Sequence, residues 1–451
     1  MPDFLHLKSD EVDTMEKRGK YFVNIIGCGQ RGIIYAIEFA KAGYKVIGTD
    51  ADQSVVRRLS KGKMPNPAPD AESKLKIFLR NGRLTFTSDA KSAVAQSDII
   101  VLTIATKMDL KKSANYSEIE ASGKQVGAAL RTGTLVIYGG IASLGLMERI
   151  IKEKLENTSG LKAGKDFGLA YNPIFTLDGD NFAESFSGKK LTVAANDENS
   201  AKSAAIVLAT LTAKSVEQYL DFETVELATL FAVARRDLNV ALSNEFAMFC
   251  ESAGKDYFKT LVTDMGPCEM NPSPKVAGRR LNDEVYLLLE NAENFDTKLR
   301  LTSLARQINE GMSKHVTSLV QDALRNCGKS VRRARITILS TLRPTPSVDD
   351  LINLLEAKGA KTTLYGPPPA QTDSLGMKTT TRRNLFEAAE GSDCVVILTA
   401  NSQLSSLNLK NLRTVMRAPA AIVDLARVLV PDEVVKEGFI YRGLGRGVEK
   451  K

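Results

Sequence analysis

The sequence predicts an α/β protein with two Rossmann-like, doubly wound parallel-sheet domains joined by a long central helix in an α-helical region. Three observations predict it. Apolar strand-like runs alternate with helical stretches over residues 21–214 and again over 329–451. Residues 222–253 hold neither proline nor glycine, and their apolar side chains recur at helical spacing on more than one face, as in a helix buried between domains or subunits. A glycine turn, Gly27-Cys28-Gly29-Gln30-Arg31-Gly32, follows the first strand and opens a helix.

Taken in order, residues 1–20 read as a short solvated arm. In the domain at 21–214, YFVNIIG is a buried strand. A helix runs from about Ile33 to Ala42 and stops at Gly43, and YKVIGTD is the next strand. LTFTSD (84–89), the helical AKSAVAQ, SDIIVLTIAT and TLVIYGG (134–140) continue the alternation. A helix spans about 144–156, and FGLAYNP (167–173) and KKLTVAA (189–195) add edge strands. The helical middle, 215–328, holds the long helix and a second helical stretch at 283–325, with the irregular MGPCEMNPSPKVAGRR between them. From Ala334 the strands ARITILST, KTTLYGP, CVVILTA and APAAIVDLA alternate with helices in the domain at 329–451. This is a second Rossmann-like pattern without a glycine fingerprint.

Composition narrows the chemistry. The chain has 451 residues, too many for one core, so two or three domains are expected. No apolar run approaches the ~20 residues that span a bilayer, and the start lacks the apolar centre of a signal peptide, so the expected compartment is the cytoplasm. The five cysteines show no C-x-x-C spacing and there are two histidines, which argues against a zinc site, a disulfide framework or histidine-based catalysis. The net charge is +8, but the basic residues are dispersed, aromatics are 6% and tryptophan is absent. Nucleic-acid binders cluster their charge on one face; the pattern here suits a protein that handles small anions.

The glycine turn has the context its chemistry needs. Gly27 permits the tight turn, Gly29 lets the backbone approach a pyrophosphate, and Gly32 lets the helix pack closely on the strand. The free N–H groups of the helix start, with Gln30 and Arg31 in the turn, then hold phosphates. Asp50 ends the second strand and would accept the ribose hydroxyls. A carboxylate there repels a 2′-phosphate, favouring NAD over NADP, although Arg31 could itself contact a phosphate.

These pieces, read in order, give the chain a resemblance to the UDP-glucose/GDP-mannose dehydrogenase family. GCGQRG, VIGTDAD, the NGRLTFTSDAKSAVAQSDIIVLTIAT block, YNPIFTLDG, the 225–254 helix, NPSPKVAGRR, IVDLAR and YRGLGRG carry the resemblance nearly end to end. It implies an NAD-binding N-terminal domain with Thr106 at the family's Thr-Pro position. It also implies a nucleotide-sugar-binding C-terminal domain, dimerisation through the central helix, and oxidation of a sugar alcohol to a carboxylate in two hydride transfers. The intermediate aldehyde is held on a cysteine, a lysine and an asparagine stabilise its oxyanion, and a glutamate assists thioester hydrolysis.

At those catalytic positions the sequence departs from the family pattern. The cysteine falls at Arg280, the lysine at Thr229, the asparagine at Val233, the glutamate at Ile174 and a Ser-Thr pair at Gly139-Gly140. Asn172, Asp178, Asn244, Glu245, Asp424 and Arg446 keep the pattern. Arg280 reads either as a clamp for a substrate carboxylate or phosphate or as a surface arginine. Asp178 is a candidate general base or a solvated loop acid. Asn172, Lys275 and Arg446 are candidate substrate contacts, the latter two for a nucleotide diphosphate. Cys268, in the same loop as Arg280, could in principle stand in for the missing thiol. Asp283 and Glu284 lie near the family's aspartate position. The expectation is an NAD-dependent oxidoreductase acting on a CH–OH group of a nucleotide sugar or related anionic substrate, without the cysteine-dependent four-electron route. The alternative is a catalytically inactive NAD-binding homodimer with a regulatory or assembly role. No metal, nucleic acid or membrane partner is expected.

Overall fold

A computed structural model describes residues 3–64, 69–109, 111–174, 186, 188, 190–261, 272, 283–340, 346–366, 380–382, 384–399, 404 and 407–447. Two compact units divide the chain. One is Met1–Val233 with Asp283–Lys298; the other is Ala234–Asn282 with Leu299–Lys451.

The first unit is built on β1 (Phe22–Ile26), β2 (Lys45–Thr49), β3 (Leu84–Thr87), β4 (Ile99–Leu102), β7 (Leu135–Tyr138), β8 (Gly168–Tyr171), β9 (Leu191–Ala194) and β10 (Val216–Tyr219). A small hairpin, β5 (Lys107–Met108) and β6 (Ala114–Asn115), follows β4. The large sheet has the order β10-β9-β8-β7-β4-β1-β2-β3. β1, β4, β7 and β8 are buried along almost their whole length, as parallel strands covered on both faces must be. From β3 to β8 the strands are parallel, and the order reverses between β1 and β4. That reversal is where ligands bind in such sheets.

The expected parallel sheet is modified at one edge. β9 pairs antiparallel with β8, and β10 pairs parallel with β9 across the helix α2 (Glu198–Ala209). A second departure is the N-terminal arm. Rather than being solvated, Phe4, Leu5, Leu7 and Val12 are 0–4% exposed. Phe4 sets its ring edge-on to Tyr21 at 4.8 Å and donates its N–H to Gly133 O, while Ser203 Oγ bonds to Leu5 O. Burying each such side chain is worth about 1.5–3 kcal/mol, which offsets part of the entropy lost in ordering the arm.

Helix α1 (Gln30–Ala42) begins three residues before the first apolar position, because its opening turn is the glycine turn itself. It ends on Gly43 at φ +108°, whose N–H caps Ala40 O. The helix expected over 144–156 is found at Met147–Ser159, its first turns π-helical.

The second unit carries β11 (Arg335–Leu339), β12 (Lys361–Tyr365), β13 (Thr380–Arg382), β14 (Cys394–Ile397), β15 (Ala421–Asp424) and β16 (Ile440–Gly443) in the order β13-β12-β11-β14-β15-β16, all parallel. In units of strand number this is 3-2-1-4-5-6, a doubly wound order; the sequence reading names four of these six strands and no order.

The long helix exists as expected: α3 runs unbroken from Phe222 to Ser252. In the first unit it buries Phe222, Val225, Glu226, Thr229, Leu230 and Val233; in the second it buries Ala241, Asn244, Ala247 and Cys250. The stretch expected at 283–325 is two helices, α4 (Glu284–Asn294) and α5 (Arg300–Asn326), separated by a turn with Asp296 at φ +51°. In the second unit α3 and α5 are joined by a buried polar network. Arg306 pairs with Asp237 at 2.6 Å, Asn309 donates to Asp237, and Asn244 donates to Asn309.

Candidate active site

Gly27 follows β1 directly and takes φ +93°, which side-chain-bearing residues rarely adopt. Its N–H bonds to Thr49 O, and its carbonyl accepts from Thr103 Oγ1 at 2.6 Å. A Cβ on Gly32 would stand 1.9 Å from Gly27 O, so only glycine lets the helix start here. A Cβ on Gly29 would meet nothing within 4 Å. Open space therefore faces the turn where a pyrophosphate would approach. Helix α1 makes its first bond from Ile33 N to Gly29 O, which leaves the N–H groups of Gln30, Arg31 and Gly32 at the helix start for an anion. Asp50 lies one residue past β2, half-buried. It accepts from Cys28 N at 2.8 Å and from Asp52 N at 2.9 Å, so the carboxylate is held against the turn. Thr106 lies in the loop after β4, next to the Tyr138 hydroxyl. The open glycine, free N–H groups and fixed carboxylate fit a dinucleotide with unesterified ribose hydroxyls.

A second polar group lies beside this turn, at the carboxyl ends of β7 and β8. The Arg31 guanidinium turns to Glu284, the first residue of α4, and pairs Nη2 with Oε1 at 2.5 Å. The two side chains are 12% and 13% exposed. Burial works against the arginine's charge, but the adjacent Glu284 carboxylate and their hydrogen bond outweigh it and raise the guanidinium's proton affinity. Tyr138 and Tyr171, stacked at 6.0 Å, lie within electrostatic reach of Arg31. So the Arg31 side chain, read from sequence as a phosphate contact, is engaged with Glu284, while its backbone stays in the turn.

The loop after β7 is shaped by aromatics. A Cβ on Gly139 would lie 2.4 Å from Tyr35 Cε2, and one on Gly140 would lie 2.4 Å from Tyr138 Oη. The two glycines and the two tyrosines are therefore one packing solution. Further along this loop Gly145 N and Met147 N donate to the two oxygens of Glu226 on α3, at 2.6 and 2.9 Å. Burial pushes the Glu226 carboxyl up to about 7; the two N–H donors pull the other way, and Glu223 and Asp221 add to the rise.

Asn172 lies inside the sheet. Read as a substrate contact, it is fully buried. Its Oδ1 accepts from Tyr35 Oη at 2.7 Å and its Nδ2 donates to Thr192 O at 2.7 Å. The amide ties β8 to β9 and α1, using one of its two N–H donors and one of its two acceptor sites. Thr229, Val233 and Ile174 are 3–6% exposed, and Thr229 Oγ1 donates to Val225 O. Cys28, Cys250, Cys327 and Cys394 are buried thiols, each pushed above the usual range by burial. Asp178, Lys275, Arg280 and Cys268 lie outside the described residues. Among the described residues no cluster of three or more His, Cys, Asp or Glu side chains could hold a metal ion.

In the second unit Arg446 follows β16, 19% exposed, with its guanidinium over the rings of Phe258 and Tyr441 and 4.0 Å from Asp256. Arg427, at φ +57°, covers the same Phe258 ring at 4.1 Å. Burial and the neighbouring Arg446 lower its proton affinity.

Sequence reasoning passed over Glu226, Tyr35 and Tyr138. The one visible signal was Glu226, a lone acid on an otherwise apolar helix face.

Fold and turn together define a dinucleotide-binding protein with paired α/β domains. Residues 22–212, 223–311 and 339–431 match the NAD binding, central and UDP binding domains of the UDP-glucose/GDP-mannose dehydrogenase family. The chain belongs to that family, and NAD is its cofactor. It is 25% identical over 446 residues to the UDP-glucose 6-dehydrogenase of Rhizobium meliloti (strain 1021), covering 94% of this chain and 99% of the relative. It is 28% identical over 429 residues to the UDP-N-acetyl-D-mannosamine dehydrogenase of Pyrococcus horikoshii, with the same coverage. The solved structure of a UDP-D-ManNAc dehydrogenase from Pyrococcus horikoshii superposes with a TM-score of 0.80 at 25% identity, over 94% of this chain and 99% of that one. A UDP-glucose dehydrogenase from Pyrobaculum islandicum, 21% identical over 94% of this chain and 98% of that one, shares the fold with a TM-score of 0.78.

Proposed function

We propose that this protein is an NAD-dependent dehydrogenase that oxidises a CH–OH group of a nucleotide sugar, or a closely related anionic substrate, in a single two-electron step. The substrate class rests on the relatives, which act by name on UDP-glucose and UDP-N-acetyl-D-mannosamine, and on the match to the UDP binding domain. The two-electron limit rests on one observation above all. The places of the family's lysine, asparagine and glutamate are taken by Thr229, Val233 and Ile174, three packed side chains. The described cysteines are buried thiols, poor nucleophiles for capturing an aldehyde. NAD supplies the two-electron oxidant. Asp50 and the N–H groups of Gln30, Arg31 and Gly32 bind and orient it. Lys275, Arg280 and Arg446 hold the substrate's anionic groups, and Asp178 serves as a base.

The protein works as a homodimer in the cytoplasm, joined through the helical region 215–328. Support for the dimer comes from the apolar side chains that the second unit leaves open on two packed helices. These are Leu242 (41%), Phe246 (44%) and Phe249 (72%) on α3, and Leu301 (70%) and Leu304 (52%) on α5. Single exposed apolar residues are ordinary, but Leu242, Phe246 and Phe249 recur at i, i+4 and i+7 along one face of α3, as an interaction surface would. A second copy offers the same set, as a two-fold interface requires. Among the described residues no helix is long and apolar enough to cross a membrane.

The test is absorbance at 340 nm with NAD and UDP-glucose, UDP-N-acetyl-D-glucosamine, UDP-N-acetyl-D-mannosamine or GDP-mannose. The expected result is one NADH per sugar consumed and a carbonyl product. Two NADH and a carboxylate would overturn the two-electron limit. NAD binding without turnover on any sugar would favour the inactive dimer.

A further inference from the structure

We propose that α4 braces the nicotinamide half of the cofactor site, with Glu290 and Asn291 as positioning residues that fix the loops after β4 and β7. The brace requires NAD as the cofactor but not the two-electron limit above.

A dinucleotide lies across the point where the strand order reverses, here between β1 and β4. The glycine turn and Asp50, one residue past β2, occupy one side of that point and suit the pyrophosphate and the adenosine ribose. The nicotinamide half is left to the other side, where the chain leaves the carboxyl ends of β4 and β7.

Both of those loops are held from one helix. Ala114 N, at the start of β6, donates to Glu290 Oε2 at 3.1 Å, and Leu144 N, in the loop after β7, donates to Asn291 Oδ1 at 3.0 Å. Lys112, at φ +66° in the turn of the β5–β6 hairpin, donates Nζ to Tyr286 Oη at 2.6 Å and stands over that ring at 4.5 Å. Tyr116 Oη donates to Ser143 Oγ at 2.7 Å, which ties the two loops to each other. All of these residues belong to the first unit, yet the three contacts with α4 join partners 147 to 176 residues apart in the chain.

These bonds are not what keeps α4 in place. Val285, Leu287 and Leu288, 0–5% exposed, anchor it by burial. A loop N–H that water could also serve gains little net stability from a side-chain acceptor. What the acceptor adds is a fixed position for backbone that a ligand has to meet, and a site holds its geometry only when such outer contacts lock it. Glu290 and Asn291 are adjacent on α4 and each locks a different loop, so one element sets the spacing between the two.

The experiment measures by calorimetry the binding of NAD and of ADP, which carries the adenosine and diphosphate and lacks the nicotinamide riboside. It compares wild type with Glu290→Ala/Asn291→Ala, which removes both acceptors, and with Glu290→Gln/Asn291→Asp, which keeps an acceptor oxygen at each place. The alanine pair should bind NAD about tenfold more weakly and ADP within about twofold of wild type, and the Gln/Asp pair should bring NAD affinity back to within about threefold. Equal weakening of both ligands, as a general loss of structure would give, overturns the proposal. So does unchanged NAD affinity in the alanine pair, or a Gln/Asp pair no better than it. Failure of wild type to oxidise any sugar would overturn the dehydrogenase reading and leave this one standing, because it is read from binding alone.

Discussion

At the scale of single residues, Glu226 makes the most direct prediction. Its folded-state value of about 7 stands above the ordinary 4.5. The stability it contributes is therefore fully present below pH 4.5 and is lost as pH rises through 7, a swing on the order of 3 kcal/mol. In denaturant titrations Glu226→Gln should be less stable than wild type at pH 5, because an amide nitrogen then faces one of the two N–H donors. The gap should narrow by pH 8, where the wild type carries a buried charge. A gap that is constant or widens with pH would contradict this. Asp50 makes a second prediction. Asp50→Ala removes the acceptor of Cys28 N and of Asp52 N, and should weaken NAD binding by about tenfold or more, measured by calorimetry. Unchanged affinity would mean that the carboxylate does not reach the ribose.

At the scale of elements, the loop after β7 shows how one packing choice fixes two positions. Gly140→Ala drives a Cβ into the Tyr138 hydroxyl and should cost about 1–3 kcal/mol in unfolding free energy. The cost should shrink in a Tyr138→Leu background; strict additivity would show that the contact is not the cause. The same comparison explains what was legible in the sequence. Strands, helices and the glycine turn were readable because each is encoded by neighbours: β1, Gly27–Gly32 and Asp50 fall within 29 residues of chain. The Gly139–Tyr35 packing joins residues about a hundred apart, and Arg31–Glu284 joins residues 253 apart. No local pattern announces such pairs. The N-terminal arm misled for a related reason: Phe4, Leu5, Leu7 and Val12 look sparse among charges, and their burial depends on partners at Tyr21, Gly133 and Ser203. Asn172 kept its family motif and still proved to be part of the sheet.

At the scale of the whole molecule, the open apolar set on α3 and α5 predicts self-association. Phe249→Asp with Phe246→Asp should shift the sedimentation coefficient from that of a dimer to that of a monomer of about 49 kDa, with the far-UV spectrum preserved. A variant that sediments like wild type would move the interface elsewhere. The first unit is also discontinuous, because it is closed by Asp283–Lys298, a segment taken from the middle of the other unit's sequence. On the ribosome this imposes an order of events. Every strand of the large sheet has been synthesised by Tyr219, yet the acid that answers Arg31 emerges only at Glu284. A nascent chain at that stage holds a cofactor turn whose Arg31 has not yet met its carboxylate partner, and α4 arrives last to supply it. Cofactor capture during translation should therefore wait for α4 rather than for the completed sheet.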